Sequence, residues 1–224
     1  MGEPQMPGFK LKGRFIGLLT ASLAASAVCV TAGPAAAYSG TTASAYADKY
    51  ATSPNSSLYP VFGSDCTNFV SQAVHAGGYP FRNPYQSTTS VTNWWIYSNQ
   101  LHTEFSWSQT WSVAVSYHNF LVDDYPGGIP EGTASGSSTA YWDPNAVTEG
   151  DVLFYDWGQG EGISHAAIQV GYGTDPNLYP NQVWDGNYVD EHTSNRYHAF
   201  WSLKPYNAYY ATTTIYFMHI DAAN

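Results

Sequence analysis

Residues 63–72 read G-S-D-C-T-N-F-V-S-Q, and the apolar positions that follow Cys66 fall at Phe69, Val70, Ala73 and Val74. That spacing predicts an amphipathic helix, and Gly77-Gly78 ahead of Pro80 stops it. Ser64 or Asp65 is placed to cap it, so Cys66 falls in the first turn. A thiol there meets the positive end of the helix dipole, which favours the thiolate, the reactive form. The same apolar stripe would also accept Cys66 as a small core residue. Residue pattern alone leaves both readings open.

The chain has two cysteines, and the other one lies in a segment expected to be removed. Lys10, Lys12 and Arg14 precede an uncharged run from Phe15 through Val30, which ends in Pro34-Ala35-Ala36-Ala37, an A-x-A exit before Tyr38. Residues 1–37 are therefore expected to be a signal peptide that carries Cys29 away, leaving 38–224 as a single secreted domain. Ser, Thr, Ala and Gly dilute the apolar run, so a membrane anchor is not expected. Loss of one acid and three bases takes the formal charge from -10 to -12, with Lys49, Arg82, Arg196 and Lys204 the strong cations left. Such a surface repels phosphate backbones, so neither nucleic acid nor an anionic membrane is an expected partner. A solitary cysteine outside the cell is exposed to oxidation, which tilts Cys66 towards a chemical role.

Working outward, Thr42–Ala51 has helical spacing at Ala43, Tyr46, Ala47 and Tyr50, and Val113–Val122 repeats it. Between them, residues 79–112 form a long covering segment with Trp94, Trp95, Trp107 and Trp111 spread through it. Residues 132–139 are small and polar and are the best internal linker. Extended runs follow at 152–155, 166–170, 182–184, 188–193 and 212–220, separated by Gly, Asn, Asp and Pro as in antiparallel strands. Helices first and strands afterwards predict an α+β domain whose sheet packs on the N-terminal helices.

A base for the thiol is sought among seven histidines. In G-I-S-H-A-A-I-Q-V-G, strand alternation puts His165, Ala167 and Gln169 on one face and Ala166, Ile168 and Val170 on the other. Small neighbours leave room beside His165 for a substrate. A third residue should hold the imidazole tautomer. Glu191 and His192 are candidates on the next strand, pointing to opposite faces, and Asn195 is a weaker one. H-E-x-x-H and paired-cysteine spacings do not occur, so no metal and no cofactor is expected.

D-C-T-N-F-V-S-Q, then A-G-G-Y-P, N-W-W, S-W at 106–107, G-D-V-L-F-Y-D-W at 150–157, S-H-A-A-I and E-H-T resemble, in that order, the bacterial family named "Putative amidase domain". That family groups with the CHAP and NlpC-type branches of the papain-like cysteine hydrolases. The resemblance implies a papain-like fold, Cys66 as nucleophile and His165 as base. Its His-Thr pair corresponds to His192-Thr193, which selects His192 as the orienting residue, and Asp65 inherits a role in binding the substrate. The implied function is hydrolysis of amide bonds, with peptides of bacterial peptidoglycan as substrate and the protein acting as a monomer, secreted or at the cell wall. A non-catalytic alternative is a glycan- or wall-binding domain using the Trp-rich segment.

Overall fold

Helix α1 (Gly40–Tyr50) begins where Ser39 caps it, its hydroxyl accepting the Thr42 N–H at 3.2 Å. Helix α2 (Cys66–Ala76) buries Phe69, Val70, Ala73 and Val74, the stripe expected of it. These elements belong to a computed structural model that describes residues 37–123, 127–143 and 147–221. The chain divides into Met1–Pro34 and Ala35–Asn224, and every described residue belongs to the second unit. The expected signal peptide thus lies, apart from Ala37, outside the described residues.

After α2 come a small hairpin of β1 (Ile96–Ser98) and β2 (Phe105–Trp107), then α3 (Gln109–Ser112) and α4 (Ala114–Asp123). Six further strands follow: β3 (Gly128–Ser135), β4 (Val152–Asp156), β5 (Ile163–Thr174), β6 (Asp185–Glu191), β7 (Arg196–Phe200) and β8 (Thr214–Ile220). They form one antiparallel sheet in the order β3-β8-β4-β5-β6-β7. The fold is α+β, with α1, α2 and α4 lying against β5.

Strand alternation divides the core between the two faces of this sheet. Phe154, Ala166, Ile168, Val170 and Met218 pack with the helices. Leu153, Tyr155, Ala167, Ile215 and Phe217 face the other way, where Trp201 and Leu203, on the connection from β7 to β8, cover them. Each such side chain, fully buried, contributes about 1.5–3 kcal/mol. The backbones of α1 and of the turn before β4 nearly touch: a Cβ on Gly40 would sit 1.9 Å from the Glu149 carbonyl oxygen.

The Trp-rich segment is core. Trp94 and Trp111 are fully buried and Trp95 almost so, while Trp107 packs partly buried against the same cluster. Trp94 lies parallel to Tyr117 and Phe120, and the indole N–H groups of Trp94 and Trp111 donate to Ser71 Oγ at 3.2 Å and Asn68 Oδ1 at 2.8 Å. These indoles brace α2 instead of forming the solvent-facing platform that a glycan-binding reading of this segment requires.

Two boundaries differ from expectation. Residues 132–135 are the end of edge strand β3, not a linker. Gly132 has a φ of 102° at a bulge against β8, and small polar residues suit a strand whose outer face meets solvent. Residues 182–184 precede β6 instead of forming a strand, and β5 runs past the expected 166–170 to Thr174.

Candidate active site

Cys66 is the first residue of α2, and its backbone N–H is among the helix N–H groups that lack an intrahelical acceptor. The preceding loop sets this start through Asp65. Its carboxylate does not cap the helix. Instead Oδ1 accepts from the Phe62 N–H at 2.9 Å and Asn68 Nδ2 at 2.8 Å, and Oδ2 meets His192 Nδ1 at 2.7 Å.

β5 runs beside this helix start and brings the His165 imidazole and the Ala166 N–H close enough to the sulfur to act on its ionisation. Thr67 Oγ1 lies 3.7 Å from the sulfur. The far nitrogen of the ring, His165 Nε2, meets Glu191 Oε2 at 2.5 Å, which leaves Nδ1 for the thiol. Glu191, the last residue of β6, binds the Arg196 guanidinium through its other oxygen, and that guanidinium lies over the Tyr206 ring at 4.2 Å. Arg196, His165 and Cys66 thus form one line through Glu191.

Burial would push the Cys66 thiol up. The hydrogen bond and charge of His165, with the Ala166 N–H and Thr67, outweigh it and bring the thiol from 9.0 down to about 7. Burial would lower His165, but its bonds to Cys66 and Glu191 carry it from 6.5 up to about 10. Glu191 is itself held below the ordinary carboxylate range, against its burial, by His165 and Arg196. Near neutral pH these shifts place the proton of the pair on the imidazole and bring the thiol to the edge of ionisation.

The sulfur and the ring edge open into a cleft of about 510 Å³. Trp157 and Ser164 form one side, and Arg196, Tyr206, Asn207 and Tyr209 form the other. Ser164 Oγ is buried with no hydrogen-bond partner among the described residues. The second wall comes from a tail in which no motif is visible, and it becomes part of the site only because the β7–β8 connection folds back over the sheet. A separate hollow of about 310 Å³ near Trp142 and Gln169 holds no nucleophile.

The structure brings Cys66 and His165 together and keeps His192 away from them. His192 lies in the turn after β6, where Nε2 meets the Tyr50 carbonyl at 2.8 Å, Nδ1 meets Asp65, and the ring stacks on Phe69 at 3.9 Å. Both its nitrogens are thus occupied, and the side chain that meets His165 Nε2 is Glu191. The Asp65 carboxylate is buried, engaged by Phe62, Asn68 and His192, and is not part of the cleft lining. Asn195 lies in the β6–β7 turn. Among the described residues, Asp48, Asp190 and His198 form one group able to hold a metal ion, away from the sulfur.

The family model described as "Putative amidase domain" matches residues 37–218, and the chain belongs to that family. Among curated proteins it is 30% identical over 176 residues to "Uncharacterized protein YhbB" of Bacillus subtilis (strain 168), covering 78% of this chain and 48% of that one. It is 29% identical over 167 residues to "Uncharacterized protein YjcM" of the same organism, covering 75% of this chain and 34% of that one. The chain thus spans between a third and a half of these relatives. No solved structure matches it.

Proposed function

We propose that this member of the amidase-domain family is a cysteine hydrolase of amide bonds, with Cys66 as nucleophile, His165 as acid and base, and Glu191 as the residue that orients His165. The observation that carries this reading is the line Cys66–His165–Glu191 at the floor of an open cleft, with a depressed thiol and a raised imidazole. The thiolate attacks the amide carbonyl carbon, and the Cys66 N–H at the helix start stabilises the oxyanion. The His165 imidazolium gives its proton to the departing amine, leaving an acyl thioester. Neutral His165 then takes a proton from water, whose oxygen attacks the thioester and releases a carboxylic acid and the starting thiolate–imidazolium pair. Glu191 holds the ring in place and stabilises its charge throughout.

A papain-like arrangement fits a nucleophile at a helix start facing a histidine on an antiparallel sheet, and it rests on the sequence resemblance. On the same ground the substrate is a peptide of bacterial peptidoglycan and the enzyme is secreted. Tyr38, just after the proposed exit site, already donates to the Gly150 carbonyl at 2.6 Å, so cleavage before it would leave this contact intact. N-terminal sequencing of protein recovered from culture medium is expected to begin at Tyr38; secreted protein that retains residues 1–37 would contradict the leader.

The direct test is incubation of the purified domain with muropeptides, read by mass spectrometry for paired amine and carboxylate products. The unmodified protein is expected to produce them and the Cys66→Ala protein to produce none. Equal turnover by both would remove Cys66 from the chemistry.

A further inference from the structure

Three side chains unconnected to the cleft converge on the other flank of β6: Asp48 from α1, Asp190 from β6 and His198 from β7. One donor atom from each lies within 4.8 Å of the others. His198 Nε2 meets Asp48 Oδ1 at 2.9 Å. Asp190 is fully buried; its Oδ1 accepts the His198 backbone N–H at 2.7 Å, while Oδ2 has no donor among the described residues. The polar group that interacts with it is a second carboxylate, Asp48.

Burial and the neighbouring Asp48 carboxylate push Asp190 up to about 8, so its Oδ2 calls for a proton or a cation between it and Asp48. The backbone is bent to build this arrangement. Between the pairs Val189–Ala199 and Glu191–Arg196, β6 contributes Asp190 alone while β7 contributes Tyr197 and His198, a bulge. His198 occupies the left-handed region at a φ of 56°, and the rings of Tyr188 and Tyr197 stack on its imidazole. Bulges of this kind re-aim a side chain, here towards α1.

We propose that Asp48, Asp190 and His198 are a divalent-cation site, open to solvent on the Asp48 side and selective for zinc over calcium and magnesium. Two carboxylates with one imidazole suit a borderline transition metal, whereas calcium and magnesium favour all-oxygen shells. Ligands about 2.0–2.2 Å from a tetrahedral zinc lie about 3.3 Å apart, so Asp48 and His198, at 2.9 Å, would separate slightly while Asp190, within 4.8 Å of both, would be drawn in. The ion would supply the charge that Asp190 Oδ2 lacks and clamp α1 to the β6–β7 edge, one residue from Glu191. Its role is structural, and it stands whether or not Cys66 is a nucleophile.

Zinc can also bind a thiol beside an imidazole, so the test uses the full chain carrying Cys66→Ala, stripped with chelator and titrated with zinc chloride or calcium chloride. At a hundredfold excess over Kd, zinc is expected to raise Tm by about 5–10 °C, with calcium doing far less. Adding Asp190→Asn, whose amide can donate to Asp48 and so supplies a donor in place of the ion, should keep the fold and abolish the zinc response. His198→Gln should abolish it too. A Tm that zinc leaves unchanged, or a rise of equal size in both variants, overturns the proposal.

Discussion

At Glu191 and His192 a single position along the chain decides which side chain meets His165. Glu191 ends β6 on the face of the sheet that His165 shares, so its carboxylate arrives at Nε2. His192 has already turned away, towards Asp65. Both residues were visible as candidates, and period-two alternation correctly separates their faces. What alternation cannot supply is which face carries the thiol, because that depends on where a helix more than a hundred residues earlier is packed. If Glu191 orients His165, Glu191→Gln removes the charge that holds the imidazole up. The kcat/KM of the unmodified enzyme is expected to be bell-shaped, rising near pH 7 as the thiolate forms and falling near pH 10 as the imidazolium is lost. In Glu191→Gln the basic limb should move down, and the maximum should fall by about 10²–10⁴-fold. An unmoved basic limb would remove Glu191 from this role. The sign for stability follows from the same contacts: Glu191 is depressed in the fold, so its contribution is present at neutral pH and is lost as pH falls through its folded pKa.

Among the elements, the turn after β6 acts as a clasp. His192 bonds to Asp65 at the start of α2 and to the Tyr50 carbonyl at the end of α1, and Thr193 Oγ1 accepts the Asp65 N–H at 3.0 Å. Three segments remote in sequence are thereby held where Cys66 begins. His192→Ala leaves the buried Asp65 carboxylate without its imidazole, which is expected to cost about 3–5 kcal/mol. Denaturant midpoints should show that loss, while both limbs of the pH profile stay in place for the protein that remains folded. Full stability with shifted limbs would return His192 to the orienting role. α1, α2 and α4 were legible because their buried faces repeat every three or four residues. β4, β5 and β8 were legible because they are β-branched, aromatic and nearly continuous. β3 and β7 were not: Gly128–Ser135 is small, polar and bulged, and Arg196–Phe200 carries its own bulge at His198, so neither shows clean alternation. The two short strands around 96–107 have their register set by the packing of Trp95 and Trp107, which no local pattern reveals.

Taken as a whole molecule, the sheet is covered on both faces, and the cleft forms where the start of α2, the start of β5 and the β7–β8 connection meet. The helices fix Cys66 through a core of tryptophans; the sheet fixes His165 and Glu191 on adjacent strands. The connection supplies Tyr206, Asn207 and Tyr209, which should decide what enters. Family membership is consistent with a hydrolase, and if Cys66, His165 and Glu191 act as proposed, their chemistry is common to any amide and the substrate should be read from that wall. The most direct measurement of the central claim is the rate of Cys66 alkylation by iodoacetamide as a function of pH, in the unmodified protein and in His165→Ala. A thiolate held by His165 predicts rapid modification that rises through pH about 7, and in His165→Ala slow modification with its rise displaced above pH 9. Identical profiles in the two proteins, or an unmodified thiol that reacts only above pH 9, would contradict it.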